Sequence, residues 1–136
     1  MDAVYRPAMV AVDRVIAVVD DESPVRGMLG RLLRVADFEV SSFASGEDFL
    51  ESLASQVPDC AILDIHMPGL SGFEVQARLR AARIPIPVVF ITASDDTALD
   101  GSASAAGAAS LLRKPFSSAT LLQAIGVALG GMKPES

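Results

Sequence analysis

The sequence predicts an α/β domain built on an open, doubly wound parallel sheet. Two observations carry this. Short β-type runs alternate regularly with segments of helical periodicity, and five such β–α units fit the 136 residues; that rhythm produces a sheet with helices on both faces. The strand runs are also continuous apolar stretches rather than alternations, so both faces of each strand are covered, as in parallel sheets. Right-handed crossovers are then expected. Ligands in such sheets bind beyond the C-terminal ends of the strands, where strand order reverses.

The first strand is Arg14-Val-Ile-Ala-Val-Val19, stopped by Asp20-Asp21. Ser23 is the expected N-cap of the first helix, with Pro24 at its first position. Val25, Met28, Leu29, Leu32 and Leu33 then recur at three- and four-residue steps and define one apolar face. Phe38 to Phe43 is the second strand. Ser45 caps a second helix carrying Phe49, Leu50 and Leu53. Pro58 opens the third strand, Cys60 to Leu63, which ends at Asp64. A turn-rich loop, His66 to Gly72, leads to a third helix with Phe73, Val75, Ala77 and Leu79, broken by Pro85 and Pro87. Val88 to Thr92 is the fourth strand. Residues 94–107 contain two glycines but almost no large apolar side chain, so a helix there is expected to be poorly anchored. Ala109 to Leu112 is the fifth strand, followed by Lys114-Pro115-Phe116. The last helix begins near Ser117, uses Leu121, Leu122, Ile125, Val127 and Leu129, and ends at Gly130-Gly131.

Bulk properties narrow the function. The length suits one domain, expected over residues 14–130, with an N-terminal extension at 1–13 and a tail or truncated linker at 131–136. No apolar run approaches bilayer length, and the N-terminus lacks a secretory pattern, so a cytoplasmic location is expected. The single cysteine, Cys60, cannot form an internal disulfide and reads as a small buried hydrophobe. A net charge of −6 argues against direct binding of nucleic acid.

The chemistry lies at the C-terminal ends of the strands. Asp20, Asp21 and Glu22 come after the first, Asp64 ends the third, Thr92 ends the fourth with Ser94 beyond it, and Lys114 comes after the fifth. Each alone is an ordinary turn or strand residue; together, at one edge of one sheet, they form a site. Three packed carboxylates repel one another unless a cation neutralises them, and hard oxygen ligands in a small site favour Mg²⁺. With the metal bound, a carboxylate can attack a phosphoryl group and form an acyl phosphate. Lys114 would neutralise the phosphoryl oxygens and Thr92 would donate a hydrogen bond to them.

The runs Val18-Val-Asp-Asp-Glu22, Leu63-Asp-Ile-His-Met-Pro-Gly-Leu-Ser-Gly72, Phe90-Ile-Thr-Ala93 and Lys114-Pro-Phe116 together resemble the receiver domain of two-component response regulators, from about Arg14 to Gly130. The resemblance implies a flavodoxin-like sheet of strand order 2-1-3-4-5 with five helices. It implies phosphoryl transfer from a histidine kinase or phosphotransfer protein to Asp64. It further implies Mg²⁺ or Mn²⁺ held by Asp21 and Asp64, by Asp20 largely through water, and by the backbone carbonyl of His66. Thr92 and Lys114 take the switch and phosphoryl-contact positions. The signal would pass to a protein partner or to an output domain outside this chain, and dimerisation through the face of helix four, strand five and helix five is possible. The domain acts as a switch rather than as an enzyme on other substrates.

This chain departs from the family three residues before Lys114, where an aromatic partner of the threonine is usual and Leu111 stands instead. His66 and Ser94, two residues after Asp64 and Thr92, fall where the family tunes phosphoryl lifetime. His66 either joins proton transfer or is a solvated loop residue employed through its carbonyl alone, and the second reading is preferred. Two competing functions fit less well. A phosphatase of the haloacid dehalogenase kind wants a second acid where His66 stands. A degenerate receiver acting only as an interaction module is opposed by the retained Asp20, Asp21, Asp64, Thr92 and Lys114.

Overall fold

A computed structural model describes residues 14–130; the expectations for 1–13 and for 131–136, Gly131 included, lie outside them. The elements run β1 (Val15–Val19), α1 (Ser23–Val35), β2 (Glu39–Phe43), α2 (Gly46–Ser52), β3 (Cys60–Asp64), α3 (Gly72–Ala81), β4 (Val88–Thr92), α4 (Ala98–Ala105), β5 (Ser110–Arg113) and α5 (Ser118–Ala128). All strands pair in parallel, in the order β2-β1-β3-β4-β5. The order reverses between β1 and β3, and a crevice opens there at the strands' C-terminal ends.

Alternate residues of each central strand serve opposite faces. Val19, Leu63 and Phe90 meet Phe49 of α2, Val75 and Leu79 of α3, and Ala103 of α4. Val18, Ile62 and Ile91 meet Leu29 and Leu33 of α1 and Leu121 and Ile125 of α5. β1, β3 and β4 are buried throughout, as their unbroken apolar sequences require. The edge strands differ: β2 is partly exposed and β5 half-buried along its length. The expectation that every strand is covered on both faces therefore holds only for the three inner ones.

Several boundaries move for identifiable reasons. Glu22, not Ser23, caps α1, and its side chain makes no capping bond. The Glu22 N–H donates to Asp20 Oδ1 at 2.9 Å, which fixes Glu22 extended, and its carbonyl already accepts from the Arg26 N–H. Phe38 drops out of β2 because its N–H donates to the Leu33 carbonyl and closes the end of α1. Ser45 caps α2 as expected, Ser117 caps α5, which begins where it was expected to, and Ser71 with Glu74 forms a capping box at the start of α3. α4 forms, but Ala103 is its one buried residue. β5 lies one residue later than expected, so Arg113 joins the sheet opposite Thr92.

Candidate functional site

The crevice at the β1–β3 switch point collects the acidic residues. One carboxylate oxygen each from Asp20, Asp21 and Asp64 lies within 4.8 Å of the others. Asp20 is fully buried and Asp64 is 5 % exposed, whereas Asp21 faces solvent. Asp20 is held in place by its backbone: its N–H donates to the Phe43 carbonyl at 3.1 Å, and its carbonyl accepts from Arg26 Nη1 at 2.7 Å. Asp64 sits where β3 ends, and the next N–H, of Ile65, donates to the Ile91 carbonyl at 2.9 Å.

Lys114 enters from the end of β5. Its Nζ lies 3.1 Å from Asp20 Oδ2, 3.5 Å from Glu22 Oε1 and 3.7 Å from Asp64 Oδ2. Its own N–H donates to the Thr92 carbonyl at 2.8 Å, which ties the end of β5 to that of β4. Burial alone would lower the ammonium pKa. The hydrogen bond to Asp20 and the charges of Asp64, Asp20 and Glu22 outweigh it and hold the group above its ordinary value. The Asp64 carboxyl is pushed the other way for an acid, up to about 6, by burial first and by the Asp20 charge second. Lys114 and the His66 N–H, which approaches Asp64 Oδ1 at 3.4 Å, partly offset this.

This donor set fits a small hard cation. It is all oxygen, carries excess negative charge, and is open on the Asp21 side, so that water or phosphoryl oxygens can complete an octahedral shell. The raised Asp64 pKa comes from burial first and the Asp20 charge second, and a cation held here would favour the ionised carboxylate against both.

The remaining expected residues cluster nearby. Thr92 is buried, its Oγ1 lies 3.4 Å from Nδ1 of the exposed His66, and it accepts from the Ser94 N–H at 3.1 Å. The His66 ring therefore reaches Thr92, a contact that the preferred solvated reading did not anticipate. The Ser94 hydroxyl accepts from the Asp96 N–H at 3.1 Å and is occupied within its own turn. Leu111 is half-buried beside the cluster that holds Phe90 and Ala103, opposite Phe90 in the sheet. Cys60 is buried and its thiol is pushed up to about 12 by that burial, as an inert core residue should be.

Two residues that sequence reasoning passed over also shape the site. A Cβ on Gly72 would lie 2.5 Å from the Asp64 carbonyl oxygen and 3.0 Å from the Ile65 Cα. The start of α3 therefore presses directly on the backbone that carries Asp64, and only glycine permits it. Arg113, next to Lys114, makes four hydrogen bonds into the β4–α4 loop and α4. The glycine lay in a run read only as loop, and the arginine beyond the expected end of its strand.

A doubly wound α/β domain with a carboxylate crevice and one lysine at its switch point defines the class, and comparison with known proteins supplies the family. The model of the response regulator receiver domain matches residues 16–126. Nodulation protein W of Bradyrhizobium diazoefficiens is 37% identical over 111 residues, covering 82% of this chain and 49% of its own length. The transcriptional regulatory protein FixJ of the same organism is 34% identical over 119 residues, covering 88% of this chain and 58% of its own. Among solved structures, a receiver protein from Burkholderia phymatum superimposes with a TM-score of 0.80 at 42% identity, covering 90% of this chain and 99% of that one. The chain belongs to the response regulator receiver domain family. It spans about half the length of these curated relatives. No helix among the described residues is long and apolar enough to cross a membrane.

Proposed function

We propose that Asp64 is the phosphoryl acceptor of this receiver domain, bounded by residues 14–130, and that its phosphorylation switches the binding of a partner. The observation that supports this most is the meeting of Asp20, Asp21, Asp64 and Lys114, from the ends of three different strands, in one crevice. Asp21 and Asp64 would hold Mg²⁺ or Mn²⁺ by their side chains, Asp20 would act largely through water, and the His66 carbonyl would add a further oxygen. When bound, the cation supplies positive charge to the transferring phosphoryl oxygens and favours the ionised form of Asp64.

The chain's own groups do the rest. An Asp64 carboxylate oxygen forms the new bond to phosphorus as the donor's phosphorus–nitrogen bond breaks. The electron pair leaves with the donor imidazole, whose source is a histidine kinase or phosphotransfer protein. Lys114 exchanges part of its pairing with the carboxylates for a phosphoryl oxygen, and Thr92 donates its hydroxyl proton to another. His66 and Ser94 border the path of attacking water, so they set the lifetime of the acyl phosphate. The readout reaches a protein partner, or an output domain of a longer regulator, in the cytoplasm. It runs through the α4–β5–α5 face, with Leu111 in place of the usual aromatic; that face also serves any dimer.

Asp21→Ala and Lys114→Ala separate the metal from the phosphoryl contact. Asp21→Ala should weaken Mg²⁺ binding and phosphorylation by acetyl phosphate together, whereas Lys114→Ala should leave metal affinity nearly unchanged and impair phosphoryl-dependent switching. Equal loss of metal affinity in both would mean that Lys114 has been given the wrong role.

A further inference from the structure

Arg113 is the last residue of β5 and Lys114 follows it, and their side chains go to different partners. Lys114 turns to the carboxylates, and Arg113 turns to the face where Leu111 packs beside α4. Arg113 is the register partner of Thr92. Its Nε donates to the Ser94 carbonyl at 3.2 Å and its Nη2 to the Asp96 carbonyl at 2.7 Å. Its Nη1 and Nη2 reach the two carboxylate oxygens of Asp100 in α4, at 3.1 and 3.3 Å. One planar fork thus holds both the loop that leaves Thr92 and the first turn of the helix beyond it. Only Ala103 of α4 is buried; Leu99 packs partly against the core, and the side-chain bonds that reach the helix from α3, from Arg80 and Gln76, go to the carbonyls of Ala105 and Ala106 at its C-terminal end, so its first turn depends on Arg113. The loop is in turn fixed to the site, because the Ser94 N–H donates to Thr92 Oγ1, the hydroxyl that also faces His66.

We infer that Arg113 is the positioning residue that couples Thr92 to α4, carrying the mechanical role that Leu111 cannot perform. The inference rests on the receiver reading of the site. The Oγ1 atom that accepts from the Ser94 N–H is the one that would approach a phosphoryl group on Asp64, so a rotation of the Thr92 side chain toward that group carries Oγ1 away from Ser94 and breaks the bond. Once that bond goes, the Ser94 and Asp96 carbonyls move, and the guanidinium transmits the movement to Asp100. A lysine is no substitute, because a single ammonium on a flexible stem lacks the planar fork that spans these acceptors.

The test is hydrogen exchange on the full chain with Mg²⁺, with and without beryllofluoride. In the wild type, beryllofluoride should protect residues 64–66 and alter the exchange of residues 94–105. In Arg113→Ala, residues 94–105 should exchange about tenfold faster in the absence of beryllofluoride, the net scale of about one charge-assisted bond, because the four bonds lost lie at an exposed edge where the ion pair to Asp100 is screened by water. Their response to beryllofluoride should vanish while protection at 64–66 persists. Arg113→Lys, which keeps the charge and the packed stem, should lose the response as well without threatening the fold. A purely structural role would speed exchange by one factor in both states and leave the response intact. A response retained in either variant, or absent from residues 94–105 of the wild type, overturns the inference. Absence of protection at 64–66 in the wild type would instead defeat the receiver reading itself, and the inference with it.

Discussion

The crevice and the α4 edge are built to different standards. Asp20 and Asp64 extend from strands buried at every residue; a backbone bond to β2 pins Asp20, and one from Ile65 to β4 pins the chain just after Asp64. α4 and β5 lie at the end of the sheet, with a half-buried strand, a helix of one buried residue, and side-chain bonds supplementing thin packing by Leu99 and Leu111. The contrast shows how one small domain divides its work. Chemistry at Asp64 needs groups placed to a fraction of an ångström, which a dense core provides. A readout needs an element whose position is worth only a few bonds, so that a local change can move it.

The largest test of this contrast attacks the rigid side. Gly72→Ala would drive a methyl group against the Asp64 carbonyl, where backbone rather than a flexible side chain must yield. A loss of about 3 kcal/mol in denaturant unfolding is expected, at the upper end of the usual cost of overpacking. Phosphorylation should fall with it, because the backbone that moves carries the acceptor. Near-wild-type stability and labelling would show that the crevice is softer than its packing implies.

The next effect is a pH dependence. The folded-state pKa of Asp64, about 6, lies above its ordinary 3.8. Folding therefore favours the protonated acid, and the contribution is complete below about pH 4 and lost as pH rises through 6. In the metal-free protein this should cost about 3 kcal/mol by pH 8. Asp64→Asn should abolish that slope and be the more stable protein at pH 8 without metal. Mg²⁺ should stabilise the wild type above pH 6 but not near pH 4. Thermal melts across this range decide the matter; a metal-free wild type with no such slope relative to Asp64→Asn would mean that burial and the Asp20 charge do not raise Asp64 as described.

The smallest effect probes the soft side. Gly101 lies within α4, and a Cβ there meets nothing within 4 Å. Gly101→Ala should therefore stabilise the helix by roughly 0.5–1 kcal/mol, without touching the crevice. Exchange at the amides of α4 should slow while acetyl phosphate labelling is unchanged. Slower labelling would mean that α4 constrains the chemistry and does not merely report it.

Legibility in the sequence obeys the same divide. The buried strands declare themselves as unbroken apolar runs, so their ends, and with them Asp20, Asp64 and Thr92, could be placed without coordinates. The edge elements carry weaker signals. β2 mixes polar and apolar residues and starts one position later than expected, because the backbone of Phe38 is already engaged by α1. β5 is displaced by one residue, and with it went any sight of Arg113 facing α4. The role of Gly72 was hidden for another reason: a close approach between α3 and the end of β3 leaves no trace in periodicity. The contact between His66 and Thr92 likewise depends on how two loops meet in space.

The most direct measurement is the location of the acyl phosphate. The chain is incubated with acetyl phosphate and Mg²⁺, the product is trapped by borohydride reduction, and the modified residue is identified by mass spectrometry. Modification is expected at Asp64 alone, dependent on Mg²⁺ and absent from Asp64→Asn. Stable labelling at another residue of the wild type, or no labelling at all with the metal present, would contradict the assignment of Asp64 as the acceptor.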